Sequence, residues 1–297
     1  MPRRFVTLDV FTSKRLTGNP LAVVLDCDGL EGATMLAVAR EFNLPETVFV
    51  FPPADAGSRA RLRIFTPGRE IAFAGHPTVG TAVLLGLLDG KAAGMVLEEG
   101  VGPVRCEVEP IDGERGRAKF DVPQEPRQLA LIEDAADMAA ALGLTLDDLG
   151  CGGFAPATWS AGNAITFLPV RGLDAVRRAR IDSAQWEQGF PANERPIAYV
   201  FCNETVDKSH HFHARMFSPA FGVPEDPATG SAVAAFAGML AKDGGLADGE
   251  HRFAIEQGYE MGRPSVMHLD LTIREGRLNA AVVGGDAVRV LQGTIDV

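Results

Sequence analysis

Three side chains, Glu46, His76 and Asp226, have types and settings suited to moving a proton and holding an anion. Glu46 stands directly before Thr47-Val48-Phe49-Val50-Phe51, a β-branched and aromatic run that predicts a buried strand. Taken alone it would pass for a solvated strand-end acid, the ordinary setting of a glutamate. A second copy of the motif changes that reading. Pro196-Ile197-Ala198-Tyr199-Val200-Phe201 repeats Pro45-Glu46-Thr47-Val48-Phe49-Val50 at an offset of 151, with Ile197 where the acid was. Two related halves with the acid on only one of them suit a single acid/base catalyst rather than a symmetric pair.

The other two side chains lie in a second repeated motif. RIFTPGREIAFAGHPTVGTA, residues 63–82, is matched by RMFSPAFGVPEDPATGSA. Arg63-Ile64-Phe65-Thr66-Pro67 pairs with Arg215-Met216-Phe217-Ser218-Pro219 at an offset of 152, and His76-Pro77 pairs with Asp226-Pro227 at 150. Gly18-Asn19-Pro20 and Gly162-Asn163-Ala164 form a third pair, at 144. Similar offsets across separate motifs predict a duplicated domain.

The elements that must position these residues follow from the local patterns. Residues 5–11 and 21–25 read as strands, and Gly32–Phe42 as an amphipathic helix ending near Asn43, with Pro45 barring its continuation. Proline favours the first helical turn, so His76 is expected near the N-cap and Pro77 at N1 of a helix over about 78–88, apolar nearly all round and therefore enclosed by sheet. Asp226-Pro227 predicts the same arrangement, with Asp226 as N-cap of a second buried helix. Two such helix N-termini suit a substrate carboxylate. Residues 95–120 read as hairpins, 122–126 as a linker, and 278–297 as strand.

Composition narrows the function classes. The 297 residues are 46% hydrophobic and 23% charged, enough for two cores, and the formal charge of -11 argues against nucleic acid as a partner. Four scattered cysteines without a CxxC pair suit reduced thiols. The N-terminus lacks an apolar leader and no stretch is long enough to span a membrane, so a cytoplasmic protein acting on small molecules is expected. Ser209-His210-His211-Phe212-His213 raises the question of a metal. In a strand, however, His210 would point away from His211 and His213, and no carboxylate lies in the string, so no metal site is expected.

Across nearly its whole length the chain resembles the PhzF (phenazine-biosynthesis-like) family. The motifs DVFTSKRLTGNPLAVV, LPETVFV, RIFTPGREIAFAGHPTVGTA, MFSPAFGVPEDPATGSA and QGYEMGRPS occur in that family's order. The resemblance implies a diaminopimelate epimerase-like α+β fold, with two pseudo-symmetric domains that each wrap a curved mixed, barrel-like sheet around a central helix. The expected division is residues 1–124 and 125–297, with 283–297 as candidates to return to the first domain. It further implies a homodimer and a cofactor-independent biosynthetic isomerase acting on a small carboxylated, cyclic amino or hydroxy acid such as trans-2,3-dihydro-3-hydroxyanthranilate. The proton would leave ring carbon C3. Glu46 would be the acid/base catalyst, and Gly75, His76, Asp226, Gly230 and Ser231 would bind substrate. Racemases of this fold carry two opposed cysteines at the helix starts, and the AGHPT and EDPATG loops here have none. An epimerase, lyase or hydrolase acting through the same residues, or a metabolite-binding protein without activity, is the alternative.

Overall fold

The computed structural model describes residues 2–191 and 196–297. The chain divides into two compact units, Met1–Pro123 with Arg263–Val266 and Val282–Val297, and Gln124–Gly262 with Met267–Ala281. Among the described residues no helix is long and apolar enough to cross a membrane.

The first unit holds β1 (Pro2–Val10), β2 (Asn19–Val24), α1 (Gly32–Phe42), β3 (Glu46–Phe51), β4 (Ala60–Phe65), β5 (Glu70–Ile71), α2 (Gly75–Asp89), β6 (Ala93–Glu99), β7 (Gly102–Pro110) and β8 (Arg115–Asp121). The far end of the last strand, β17 (Arg277–Asp296), joins them. Pairing runs β1–β2–β3–β4–β6–β7–β8–β17 and back to β1, which closes a barrel, with β2–β3 and β4–β6 parallel. Inside it lies α2, buried from Gly75 to Gly86 because its sequence offers no polar face to water. The helix fits only because small residues meet the wall: a Cβ on Gly80 would lie 2.6 Å from Leu21 Cδ2, and one on Gly86 2.7 Å from Val108 Cγ2. Outside, α1 packs Met35, Val38 and Ala39 against Phe49, Phe51 and Phe65. It ends near Asn43, where its sequence predicts; there Asn43 is left-handed at φ 50° and donates its N–H to Ala39 O.

The second unit repeats the plan. Its elements are β9 (Arg127–Leu131), α3 (Ala136–Ala141), β10 (Ala157–Ser160), β11 (Ala164–Pro169), α4 (Leu173–Arg178), α5 (Trp186–Gly189), β12 (Ala198–Cys202), β13 (Phe212–Ser218), β14 (Val223–Asp226), α6 (Gly230–Asp243), β15 (Gly249–Gln257) and most of β16 (Ser265–Arg274). Antiparallel β10–β11, parallel β11–β12, antiparallel β12–β13 and parallel β13–β15 reproduce, in order, the pairings of β1 to β6. The buried α6 takes the place of α2, and α3, α4 and α5 cover the outer face of β12. This is the pseudo-symmetric α+β architecture the sequence leads one to expect.

Strand alternation decides which side chains face each central helix. In β12, Ala198, Val200 and Cys202 belong to the outer core, whereas Tyr199 and Phe201 turn inward onto Phe236 of α6. In β3, Phe49 and Phe51 face α1, so Glu46 and Val48 share the inward face toward α2. Glu46 thus stands at the inner rim of the barrel, as Ile197 does just before β12.

Both helix starts differ from expectation. Helix α2 begins at Gly75 with Ala74 as N-cap, so His76 lies within the first turn and its side chain caps nothing. The reason is local: Thr78 donates its backbone N–H to Ala74 O at 3.2 Å, which draws residues 75–77 into the helix. Asp226 is not a cap either; it ends β14, and Thr229 caps α6. Pairing of Met216 with Asp226 holds that residue extended.

Candidate active site

Three chain segments of the first unit converge on His76. The parallel β2–β3 register places Leu21 beside Glu46, and Asn19 begins β2 two residues earlier. His76 Nε2 lies 3.4 Å from Glu46 Oε2, and His76 Nδ1 lies 3.2 Å from Asn19 Nδ2. The histidine side chain is sealed, while the Glu46 side chain keeps 16% of its surface open to solvent.

Glu46 and His76 do not form an ion pair. Burial pushes the imidazole down to about 3, with only a hydrogen bond to the Pro20 backbone opposing it. The separation agrees, since a charge-assisted N–H to carboxylate bond closes to about 2.7–2.9 Å. Pro20 offers only a carbonyl, so the imidazole donates its one proton there, and Nε2, which makes no hydrogen bond among the described residues, faces Glu46 Oε2. A neutral imidazole supplies no counter-charge, so nothing from His76 pins the carboxylate in its ionised form. That is the condition a proton shuttle needs. Gly75 and His76 open α2 ahead of Pro77, which has no N–H, and their backbone donors lack partners within the helix.

In the second unit, Asp226, Gly230 and Ser231 gather at the start of α6. Asp226 Oδ2 accepts from Thr229 Oγ1 at 2.5 Å. Gln257, fully buried at the end of β15, donates to Asp226 O at 2.7 Å and to Thr229 Oγ1 at 3.0 Å, and accepts from Thr229 N at 3.2 Å. The Tyr199 phenol is buried near Asp226; burial raises its pKa and the aspartate's charge raises it further. Gly230 is buried and Ser231 half-buried at the helix entrance, where backbone donors are free by helix geometry.

Each expected site residue therefore lies at a central helix entrance or at a strand end beside one. Sequence reasoning missed the residues that brace them: Asn19, Thr78 with Glu99, and Thr229 with Gln257. The repeated Gly-Asn dipeptide was the available signal for Asn19. The threonine braces were hidden because the motif's own offset aligns Thr229 with Val79 rather than Thr78.

The histidine string needs a correction. Strand β13 begins only at Phe212, so His210 lies in the loop before it and is free to turn toward the same group as His213. His210 Nδ1 and His213 Nδ1 each lie 2.8 Å from Glu256, and His213 Nε2 lies 3.0 Å from Glu260. The carboxylates come from β15 and the turn after it, which the string itself could not show. Among the described residues no group of three or more His, Cys, Asp or Glu side chains has a geometry that could hold a metal ion. All four cysteines are buried, and burial raises each thiol, Cys27 and Cys202 to about 12, so none is poised as a thiolate base.

Comparison with known proteins agrees over the same span. A family model for PhzC-PhzF, phenazine biosynthesis-like proteins, matches residues 8–293. An uncharacterized isomerase of Mesorhizobium japonicum is 48% identical, covering 99% of this chain and 98% of its own. The trans-2,3-dihydro-3-hydroxyanthranilate isomerase of Pseudomonas aeruginosa is 35% identical, with 98% of each chain covered. The crystal structure of a PhzF-family phenazine biosynthesis protein from Bacillus anthracis superposes with a TM-score of 0.88 at 27% identity, covering 100% of both chains. With the barrel around α2, the inward acid at the head of β3 and the histidine in the first turn of the helix, these matches establish that the chain belongs to the PhzC-PhzF family of phenazine biosynthesis-like proteins.

Proposed function

We propose that this chain moves a proton between carbons of a small carboxylated acid, with Glu46 as the sole acid/base and no cofactor. Isomerase is the class to which its curated relatives are assigned and to which it belongs. The substrate class is a cyclic amino or hydroxy acid such as trans-2,3-dihydro-3-hydroxyanthranilate. The Glu46 carboxylate takes a proton from carbon, the electron pair moves into the ring, and the same carboxyl returns the proton to another carbon. No net oxidation occurs. Gly75, His76, Asp226, Gly230 and Ser231 bind the substrate: His76 bonds a developing enol oxygen or an amine, and helix-entrance N–H groups take the carboxylate. A cytoplasmic homodimer completes the proposal.

One observation carries it: a partly exposed carboxylate, turned inward at a barrel rim, 3.4 Å from an imidazole held neutral. The test incubates wild type and Glu46→Gln with trans-2,3-dihydro-3-hydroxyanthranilate in D2O and follows deuterium entry by NMR. Exchange by wild type alone supports the proposal; equal exchange by both removes Glu46 as the base.

A further inference from the structure

The first unit contains a second buried carboxyl that the proton shuttle does not use. Glu99 ends β6 with 8% of its surface exposed, and its Oε2 is buried without a hydrogen-bond partner among the described residues. Its Oε1 lies 2.8 Å from Thr78 Oγ1, and that same hydroxyl lies 2.9 Å from Ala74 O. A threonine hydroxyl has one proton, and the Ala74 carbonyl can only accept. If Thr78 donates to Ala74, the remaining short contact is a hydrogen bond only when Glu99 is the donor, which requires the protonated acid.

The second unit shows the same construction with the proton count unambiguous. Thr229 Oγ1 donates to Asp226, and the Gln257 amide donates to Thr229 Oγ1. Gln257 ends β15 as Glu99 ends β6, and each directly follows a residue paired across a parallel ladder, Glu256 with His213 and Glu98 with Arg61. A neutral glutamic acid has nearly the shape of glutamine and can make the same donation.

We propose that Glu99 is held as the neutral acid and, through Thr78, is a positioning residue for the first turn of α2, which carries His76. Burial raises its pKa to about 8. The charged and titratable groups around it do not reverse this. Cys106 on β7 has a thiol that burial and then the Glu99 charge push upward, His76 on α2 is neutral, and Arg61, Glu98, Arg63 and Glu70 line the groove beside it. Arg63 donates from Nε and Nη2 to Glu70, at 2.7 and 2.6 Å. When Glu99 ionises it can only accept, so Thr78 must give up Ala74 to serve it, and the turn bearing His76 loosens.

The folded pKa lies above the ordinary glutamate value of 4.5, so the stability gained from Glu99 is fully present below about 4.5 and is lost as pH rises through about 8. Three readouts test the proposal. In wild type labelled with 13C at the glutamate carboxyls, one signal should titrate near pH 8. The stability difference between wild type and Glu99→Gln, from urea unfolding at pH 5 to 9, should change across that window. The His76 imidazole resonances should shift near pH 8 in wild type but not in Glu99→Gln. If no glutamate carboxyl titrates near 8, or if the stability difference is flat and the His76 signals do not move, the proposal is overturned.

The effect on turnover rests on the function proposed above. With trans-2,3-dihydro-3-hydroxyanthranilate as probe, wild-type kcat should fall about tenfold per pH unit above about 8. Glu99→Gln should retain neutral-pH turnover and lose that limb, whereas Glu99→Ala should lose turnover throughout. An unchanged limb in Glu99→Gln counts against the proposal. Titration near 8 without any turnover leaves Glu99 as assigned and instead sinks the choice of substrate.

Discussion

Arg61 of the first unit and His213 of the second occupy the same place in their strands, each opposite a glutamate across a parallel pair, Glu98 and Glu256 respectively. Both glutamates also clamp a loop by accepting two backbone N–H groups. Glu98 takes those of Ala54 and Asp55 at 2.9 and 2.7 Å; Glu256 takes those of Val206 and Asp207 at 2.8 and 2.7 Å. The settings differ. Arg61 is exposed and stacks over Phe51, while His213 and Glu256 are sealed from solvent and Glu260 closes the far side of the imidazole. The duplication kept the backbone clamp, which any buried or exposed carboxylate can serve, and let the cation vary with burial. The inward faces diverged in the same manner, with Glu46 against Ile197 and Glu99 against Gln257. Geometry is shared between the units; ionisable chemistry is not.

The largest expected effect breaks the comparison at its centre. Glu46→Gln should lower proton exchange by about 100- to 10,000-fold, the usual contribution of a general acid/base. Ile197→Val, at the matching place, should leave the rate nearly unchanged. D2O exchange measured on both decides it, and a comparable loss in the two variants would mean that position rather than ionisation matters.

Next in size is the outward pair. His213→Phe leaves Glu256 and Glu260 without their buried partner and should cost about 3–5 kcal/mol in urea unfolding. Arg61→Ala, on the surface, should cost about 1 kcal/mol or less. The pH dependence separates them further. Burial alone would lower the His213 pKa, but bonds to Glu256 and Glu260 outweigh it and raise the group above 6.5. That stabilisation is full below about 6.5 and is lost as pH rises through the folded value. Glu256, held down to about 2 by His213 and the two backbone donors despite its burial, acts oppositely: its contribution is present above 4.5 and is lost as pH falls toward 2. Unfolding from pH 3 to 9 should show both limbs in wild type, whereas His213→Phe should lose the upper limb and weaken the lower one, since Val206 and Asp207 still donate to Glu256.

The central helices give a smaller contrast. Gly238→Ala brings a Cβ to 2.5 Å from Trp159 Cζ3 in a rigid ring, and Gly86→Ala brings one to 2.7 Å from Val108 Cγ2. Each should cost about 1–3 kcal/mol, with Gly238→Ala the more severe because an indole cannot step aside by changing one rotamer. Melting temperatures in the reverse order would show that the β10 wall is the softer one.

The smallest effect concerns Tyr199, which stands where the first unit has Val48. Its hydroxyl is buried without a hydrogen-bond partner among the described residues. Tyr199→Phe should therefore change stability by less than about 1 kcal/mol, since it removes a polar group that gains nothing on folding. A loss above about 2 kcal/mol would show that the phenol is hydrogen-bonded in solution.

Sequence alone determined the duplication, the two enclosed helices and the broken symmetry of Glu46 against Ile197, because these depend on periodicity and on motifs within a few residues of one another. The order of strands, the end of α1 near Asn43 and the residues 278–297 as strand were legible for the same reason. Helix starts were not: a proline motif says where a helix is permitted, and the Thr78 bonds to Ala74 or the strand pairing of Asp226 decide where it begins. Nor was the state of any ionisable group. His76 reads as a potential cation until the barrel removes its water; the histidine string lacks carboxylates until β15 supplies Glu256; and Glu99 passes for one more surface acid until Thr78 meets it. Protonation depends on desolvation and on partners distant along the chain, so the tertiary structure alone assigned neutrality to His76, a raised pKa to His213 and a bound proton to Glu99.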